Sequence, residues 1–241
     1  MAPSRIRQTS SGKALDARLR WAEERLDYRF QAAELLQQAL THRSASRNNN
    51  ERLEFLGDAL LNFVVARRLY ERNDDDPEGD LSRLRAALVK GDTLAEIGRE
   101  LAVEPHIIVG PGELRSGGAR RSSVLANTVE ALIGAILLDG GFAAAEACVS
   151  RLMEERLRTL PDAASLKDAK TRLQEWLQGR GLSLPQYTVE STSGEPHRPA
   201  FVVKCVLAEN ELCVNGQGAS RRSAEQDAAE QMLSKLISDS Q

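Results

Sequence analysis

"NERLEFLGDALLNFVVARRLY", residues 50 to 70, decides how the first part of the chain folds. Its leucines and valines recur at helical spacing. With Glu51 set at 0° and an advance of about 100° per residue, Glu54 falls near 300° and Asp58 near 340°. Leu53, Leu56, Leu60 and Val64 fall between roughly 140° and 220° on the same scale. The helix therefore has a leucine face for its own core and an acidic face opposite. A solvated polar face is the ordinary explanation. Against it, like charges this close repel, and no lysine or arginine shares their arc. Phe55, near 40°, borders the acidic arc. An aromatic there implies that something packs on it, either a partner subunit or a neighbouring part of the same domain.

A second acidic contribution comes from "SSVLANTVEALIGAILLDGG", residues 122 to 141. Asn127 and Glu130 are three apart and share a helix face. Leu125, Val129, Leu132 and Ile133 supply packing around them. Alone, Glu130 could simply point to solvent. If the two helices pack side by side, their oxygens meet. Clustered, unpaired carboxylates are hard ligands suited to Mg²⁺ or Mn²⁺. Such a site serves phosphoryl chemistry, where a metal activates water and neutralises the leaving oxygen. The third acidic stretch, "NDDDPEGD", residues 73 to 80, reads as a solvated turn.

Outward from these helices, the 241 residues are 41% hydrophobic and 28% charged, which is globular composition. No stretch reads as the roughly 20 apolar residues of a membrane span. "MAPSRIRQTSSGKA" has basic residues but no apolar segment behind them, so residues 1–17 are expected to be a flexible basic tail and not a secretory signal. Cys148, Cys205 and Cys213 show no metal spacing and suit a reducing compartment. The net charge of −3 argues mildly against nucleic acid, but local patches decide that question.

From Trp21 to about Leu160 the apolar spacing is helical, with "GPGELRSGG", residues 110 to 118, as the longest loop. The predicted all-α domain spans residues 18–158. A linker is expected at 159–166, around Pro161. Residues 167–238 then read as αβββα. Asp168 caps the first helix and Gly179 lies near its end. "QYTVEST", "AFVVKCVL" and "ELCVNGQG" are strand candidates, and Ser220 caps the last helix. The fold class is thus an all-α domain followed by a smaller α+β domain.

At this point the chain resembles a known family. "NERLEFLGDALL" is similar to the signature of ribonuclease III, the double-stranded-RNA endonuclease. "LTHRSAS", "EGDLSRLRAALV", "GPGELRSGG" and "ANTVEALIGAILLD" resemble it in the same order, and "KTRLQEWLQGR" with "GASRRSAEQDAAEQML" resembles a double-stranded-RNA-binding domain. The resemblance implies that Glu54, Asp58, Asn127 and Glu130 are metal ligands, with Asp58 and Glu130 catalytic. It makes Glu51 and Glu78 outer acidic residues. It implies Mg²⁺, for which Mn²⁺ can substitute, and a cytoplasmic homodimer whose partner subunit receives Phe55. Two sites, each cutting one strand, would leave 5′-phosphate and 3′-hydroxyl ends on ribosomal RNA precursors and structured messages. Asn127 departs from the family's usual aspartate and removes one negative charge. It is the one feature that favours a non-catalytic RNA-binding protein of the same fold.

Duplex RNA is read mostly by shape, through 2′-hydroxyls and phosphates. The resemblance assigns such contacts to Gln174, Glu175 and Gln178 on the first helix and to His197 in the hairpin "SGEPHRPAF". Arg221 and Arg222 open the last helix, where N–H groups favour phosphate. Ser223 and Glu225 stand where the general pattern often has lysine. From residue 166 onward there are 9 basic and 10 acidic side chains, so binding must rest on a local patch.

Overall fold

The computed structural model describes residues 10–72, 75–195, 198–207 and 212–238. His197 lies outside the described residues. The chain divides into two compact units, with the boundary between Ala163 and Ala164.

The first unit is helical. Its helices are α1 (Ser10–Leu26), α2 (Ala33–Ala39), α3 (Glu51–Arg72), α4 (Glu78–Val89), α5 (Gly91–Glu100), α6 (Pro111–Arg115) and α7 (Ser122–Arg158). The core lies where α7 is flanked by α3 and α5. Leu53, Leu60, Leu61, Val64 and Val65 of α3 are buried there, as are Val129, Leu132, Ile133 and Ile136 of α7. The leucine face anticipated for α3 is this buried face.

α7 is bent sharply at Gly141, whose φ of 77° lies in the left-handed region that glycine adopts freely. The preceding Asp139 fixes the corner. Its carboxylate accepts hydrogen bonds from the Tyr28 hydroxyl at 2.7 Å and from the backbone N–H of Gln31 and Ala32 at 2.8 Å.

Four expectations need correction here. The tail expected to reach residue 17 is helical from Ser10. Leu15, Leu19, Ala22 and Leu26 form an i, i+4, i+7, i+11 stripe that carries α1 onto the unit, and Trp21 and Ala22 are buried. The loop expected at 110 to 118 contains α6, opened by Pro111 at its first position and closed by Gly117 at φ 69°. Glu78 and Asp80, placed in a solvated turn, form the first turn of α4, where carboxylates are favourable. Finally, Ser122–Arg158 is long and apolar enough to cross a membrane by length and composition. That apolarity has another cause, since this helix is the one around which the unit packs.

The second unit runs α8 (Ala169–Gln178), β1 (Gln186–Glu195), β2 (Arg198–Leu207), β3 (Leu212–Gly218) and α9 (Arg221–Ser238). The strands form one antiparallel sheet in the order β1-β2-β3. Leu173 and Leu177 of α8, Cys205 and Leu207 of β2, and Ala228, Met232 and Leu236 of α9 make its core. β3 presses closely on α9: a Cβ on Gly216 would stand 2.1 Å from the Ala228 nitrogen. Both expected caps are present. Asp168 accepts from the Thr171 N–H at 2.9 Å, and the Ser220 hydroxyl accepts from the Ser223 N–H at 3.1 Å. Gly179 closes α8 as expected, and the left-handed glycine follows it at Gly181. The hairpin predicted to loop from Ser193 to Phe201 is mostly paired strand, with Thr192 opposite Phe201 and Glu195 opposite Arg198.

Candidate active site and nucleic-acid interface

α3 and α7 cross at two glycines. A Cβ on Gly57 would stand 1.8 Å from the Glu130 carbonyl oxygen, and one on Gly134 would stand 2.2 Å from the Leu53 carbonyl oxygen. The two backbones are therefore in direct contact. That proximity sets Glu54 and Asp58, on either side of Gly57 along α3, against Asn127 and Glu130 of α7. The Asn127 side chain lies close enough to the Glu54 carboxylate to favour its charged form.

The electrostatics are those of clustered negative charge, relieved only at the rim by Arg43. Burial raises the Glu130 carboxyl to about 7, and the nearby Asp58 and Glu54 push it the same way. Glu54 is also raised, chiefly by burial and partly by Glu51 and Asp58, against the opposing pull of the Asn127 side chain and the Arg43 charge. Asp58 accepts from the Asn62 side chain at 2.9 Å. Among the described residues no lysine or arginine forms an ion pair with Glu54, Asp58 or Glu130. The carboxylates do not by themselves close around an ion: among the described residues, no three Asp, Glu, His or Cys side chains are grouped to hold one. Counting the Asn127 amide, the donors are all hard oxygens carrying excess charge, which fits a hard divalent cation. Glu51 lies at the rim, exposed, 3.2 Å from the Asn49 amide and 3.6 Å from the Arg43 guanidinium.

Glu78 is not part of this cluster. It starts α4, accepts a hydrogen bond from the Ser82 hydroxyl, and shares a shallow pocket with Phe63 and Tyr70. At about 1.5 Å per residue, Tyr70 lies roughly 18 Å along α3 from Asp58. Phe55 does not pack within its own unit and is 78% exposed. It heads a stripe of α3 through Ala59, Phe63, the half-buried Ala66 and Tyr70, and Phe142 packs edge-on against Phe63. Contiguous exposed aromatics of this kind mark an interaction face.

In the second unit, Arg221 and Arg222 face one groove between the starts of α8 and α9, together with Lys170, Gln174 and Glu225. Glu225 accepts from Lys170 at 2.7 Å and from Arg221 at 2.9 Å. These partners hold its carboxyl below the usual glutamate range, the Lys170 hydrogen bond contributing most. Lys170 was not among the expected contacts. Its signal is available in hindsight, because it occupies the second position of a helix whose cap, Asp168, also lines the groove. Of the other expected residues, Gln174 and Gln178 are exposed, whereas Glu175 is paired with Lys167 at 2.8 Å.

With this geometry in view, comparison with known proteins is direct. Residues 32–157 match a ribonuclease-III-like family model, and residues 169–236 match the double-stranded RNA binding motif. The chain belongs to the ribonuclease III family of endoribonucleases, with a double-stranded-RNA-binding motif after the nuclease unit. Ribonuclease 3 of Nitrosococcus oceani is 53% identical over 219 residues, covering 90% of this chain and 94% of that one. Ribonuclease 3 of Alkalilimnicola ehrlichii is 55% identical over 214 residues, covering 89% and 94%. Among solved structures, a ribonuclease III nuclease domain from Campylobacter jejuni, described as flexible in the region involved in dimer formation, is 43% identical with a TM-score of 0.56. It covers 57% of this chain and 96% of its own. Membership in this family carries a general requirement for a divalent metal.

Proposed function

We propose that this chain is a Mg²⁺-dependent, homodimeric, cytoplasmic endoribonuclease that hydrolyses double-stranded RNA to 5′-phosphate and 3′-hydroxyl ends. Ribosomal RNA precursors and structured messages are its substrates. The observation that carries the reading is the α3–α7 crossing, which gathers Glu54, Asp58, Asn127 and Glu130 with no ion pair to any of the three carboxylates among the described residues. Glu54, Asp58 and Glu130 would hold Mg²⁺, or Mn²⁺ in its place, and Asn127 would add a neutral oxygen. When bound there, the metal supplies Lewis-acid polarisation of a phosphate oxygen and a water activated for attack. Asn127 steers the Glu54 carboxylate through its amide. The apolar flank of α7 leaves Glu130 half-buried, so its charge is only partly screened by water. Lys170, Arg221 and Arg222 take phosphates of the bound duplex, and Gln174 and Gln178 reach its minor groove.

Asn127 tests this reading against a purely RNA-binding role. Metal affinity at hard-oxygen sites rises with ligand charge. Wild type is expected to cleave a labelled RNA duplex but to need more Mg²⁺ for half-maximal rate than Asn127→Asp. The two rates converge at saturating Mg²⁺. A wild type silent at every Mg²⁺ and Mn²⁺ concentration, beside an active Asn127→Asp, would make the natural chain a binding protein.

The exposed α3 stripe supports the dimer, as does the dimer-forming region of the Campylobacter jejuni relative. A two-fold interface is self-complementary. With the α3 stripes antiparallel, Glu78 of the partner subunit approaches the carboxylate end of this chain, which gives it the outer role that its own protomer denies it. Phe55→Ala is expected to weaken dimerisation by about 2–4 kcal/mol, the range of a buried aromatic anchor. Sedimentation at decreasing concentration measures this, and an unchanged dimer would remove Phe55 from the interface.

A further inference from the structure

We propose that Arg43 is a phosphate-binding residue of the nuclease site, its guanidinium taking an RNA phosphate beside the cleaved bond. The inference rests on the catalytic reading above and assigns a residue outside the acidic cluster.

The loop carrying Arg43 is fastened on both sides. Thr41 forms a parallel bridge with Ile108, where the His42 N–H donates to the Ile108 carbonyl at 2.9 Å and the Ile108 N–H donates to the Leu40 carbonyl at 2.8 Å. Beyond Arg43, the Ser44 hydroxyl accepts from the Gly110 N–H at 2.9 Å. Gly110 has no room for a side chain, since its Cβ would stand 2.3 Å from the Ser44 carbonyl oxygen. The Asn50 N–H, one residue before α3, donates to the Thr41 carbonyl at 2.9 Å. The backbone at Arg43 is thus indexed to the start of the helix that carries Glu51, Glu54 and Asp58.

The side chain on that fixed backbone is uncommitted. It is 72% exposed, and its ion pair with Glu51, at 3.6 Å, is longer than a hydrogen bond. Exposed pairs of this kind hold weakly. Among the described residues, it is also the one cation paired with the acidic column of α3. An RNA strand must bring its phosphates up to that column against the repulsion of Glu51, Glu54, Asp58 and Glu130. A planar guanidinium at the rim fits a phosphate with two parallel hydrogen bonds. Exchanging Glu51 for phosphate costs little, and it leaves Arg43 between the strand and the outermost carboxylate.

The test uses the full chain with a short RNA duplex. Arg43→Ala is expected to slow single-turnover cleavage by about 100-fold, the usual loss for one donor to a reacting phosphate or oxyanion. The loss persists at saturating Mg²⁺, and Arg43→Lys recovers part of it. With Ca²⁺ replacing Mg²⁺ to hold the complex uncut, the salt dependence of duplex binding becomes shallower by about 0.7–0.9 in log–log slope, as for one lost phosphate contact. Cleavage within a few-fold of wild type overturns the proposal. So does a loss that disappears at saturating Mg²⁺, or an unchanged salt slope, because either assigns Arg43 to the carboxylates alone. Glu130→Gln is run alongside. If it is inactive while Arg43→Ala is normal, only the Arg43 inference falls. If Glu130→Gln cleaves normally, the site reading falls and this inference with it.

Discussion

Glu130→Gln loses cleavage by a factor of at least about 10³ while duplex binding stays within a few-fold of wild type. The substitution keeps the shape of the side chain and one oxygen but removes the charge that a hard cation requires. On the reading proposed above, the RNA contacts fall on other side chains, on Lys170, Arg221 and Arg222 of the second unit's groove and on Arg43 at the rim. A second consequence has the opposite sign. Because the Glu130 carboxyl is raised to about 7 by burial and by Asp58 and Glu54, the folded state holds its proton where the unfolded chain has released it. From the ordinary glutamate range up to about 7, stability therefore falls as pH rises. Above that window the ionised carboxylate opposes folding in full. In a chelating buffer above pH 7, Glu130→Gln should melt at a higher temperature than wild type, and added Mg²⁺ should narrow the gap by stabilising wild type alone. This exchange of stability for activity is common at functional sites. Duplex binding that falls in parallel with cleavage, at matched salt, would show that Glu130 serves RNA and not a metal.

Much of this was legible from period alone. The α3 leucines gave a single buried stripe, and the spacing of Glu51, Glu54 and Asp58 put all three on the opposite face. The αβββα order of the second unit followed from the change of period after Pro161. Two kinds of feature were not legible. Contacts between distant segments leave no local trace, so the fastening of the Arg43 loop to Gly110 could not be read, nor could the Glu225 link between Lys170 and Arg221. Glycine is ambiguous in the other sense. Gly57 and Gly134 sit inside helical patterns, where the residue normally weakens a helix. Only the crossing shows that the missing side chains are what allow Glu54 and Asp58 to meet Asn127 and Glu130. The reach of α1 is not legible because Arg5, Arg7 and Lys13 read as one basic tail and obscure the Leu15–Leu19 spacing.

Gly57→Ala is the sharpest test of that crossing, because local and tertiary effects predict opposite signs. Helix propensity alone favours alanine over glycine by about 1 kcal/mol. Against this, the added Cβ would stand 1.8 Å from the Glu130 carbonyl oxygen and 2.6 Å from its carbon, both backbone atoms that no rotamer change can move. The helices must separate by more than an ångström, and the buried leucines around the crossing lose contact with them. Overpacking costs about 1–3 kcal/mol where side chains can shift, and a backbone clash belongs to the exceptional class above about 4 kcal/mol. The tertiary effect therefore wins, and the variant is expected to be largely unfolded or to melt far below wild type. Gly91→Ala is the control: nothing lies within 4 Å of its Cβ at the start of α5, and it should be neutral or slightly stabilising. Any folded fraction of Gly57→Ala should have lost cleavage more completely than stability, since separating α3 from α7 also parts Glu54 from Asn127. Thermal unfolding of both variants decides it. A Gly57→Ala protein as stable as wild type, with normal cleavage, would mean that the helices do not cross at this glycine and that the carboxylate site is assembled in some other way.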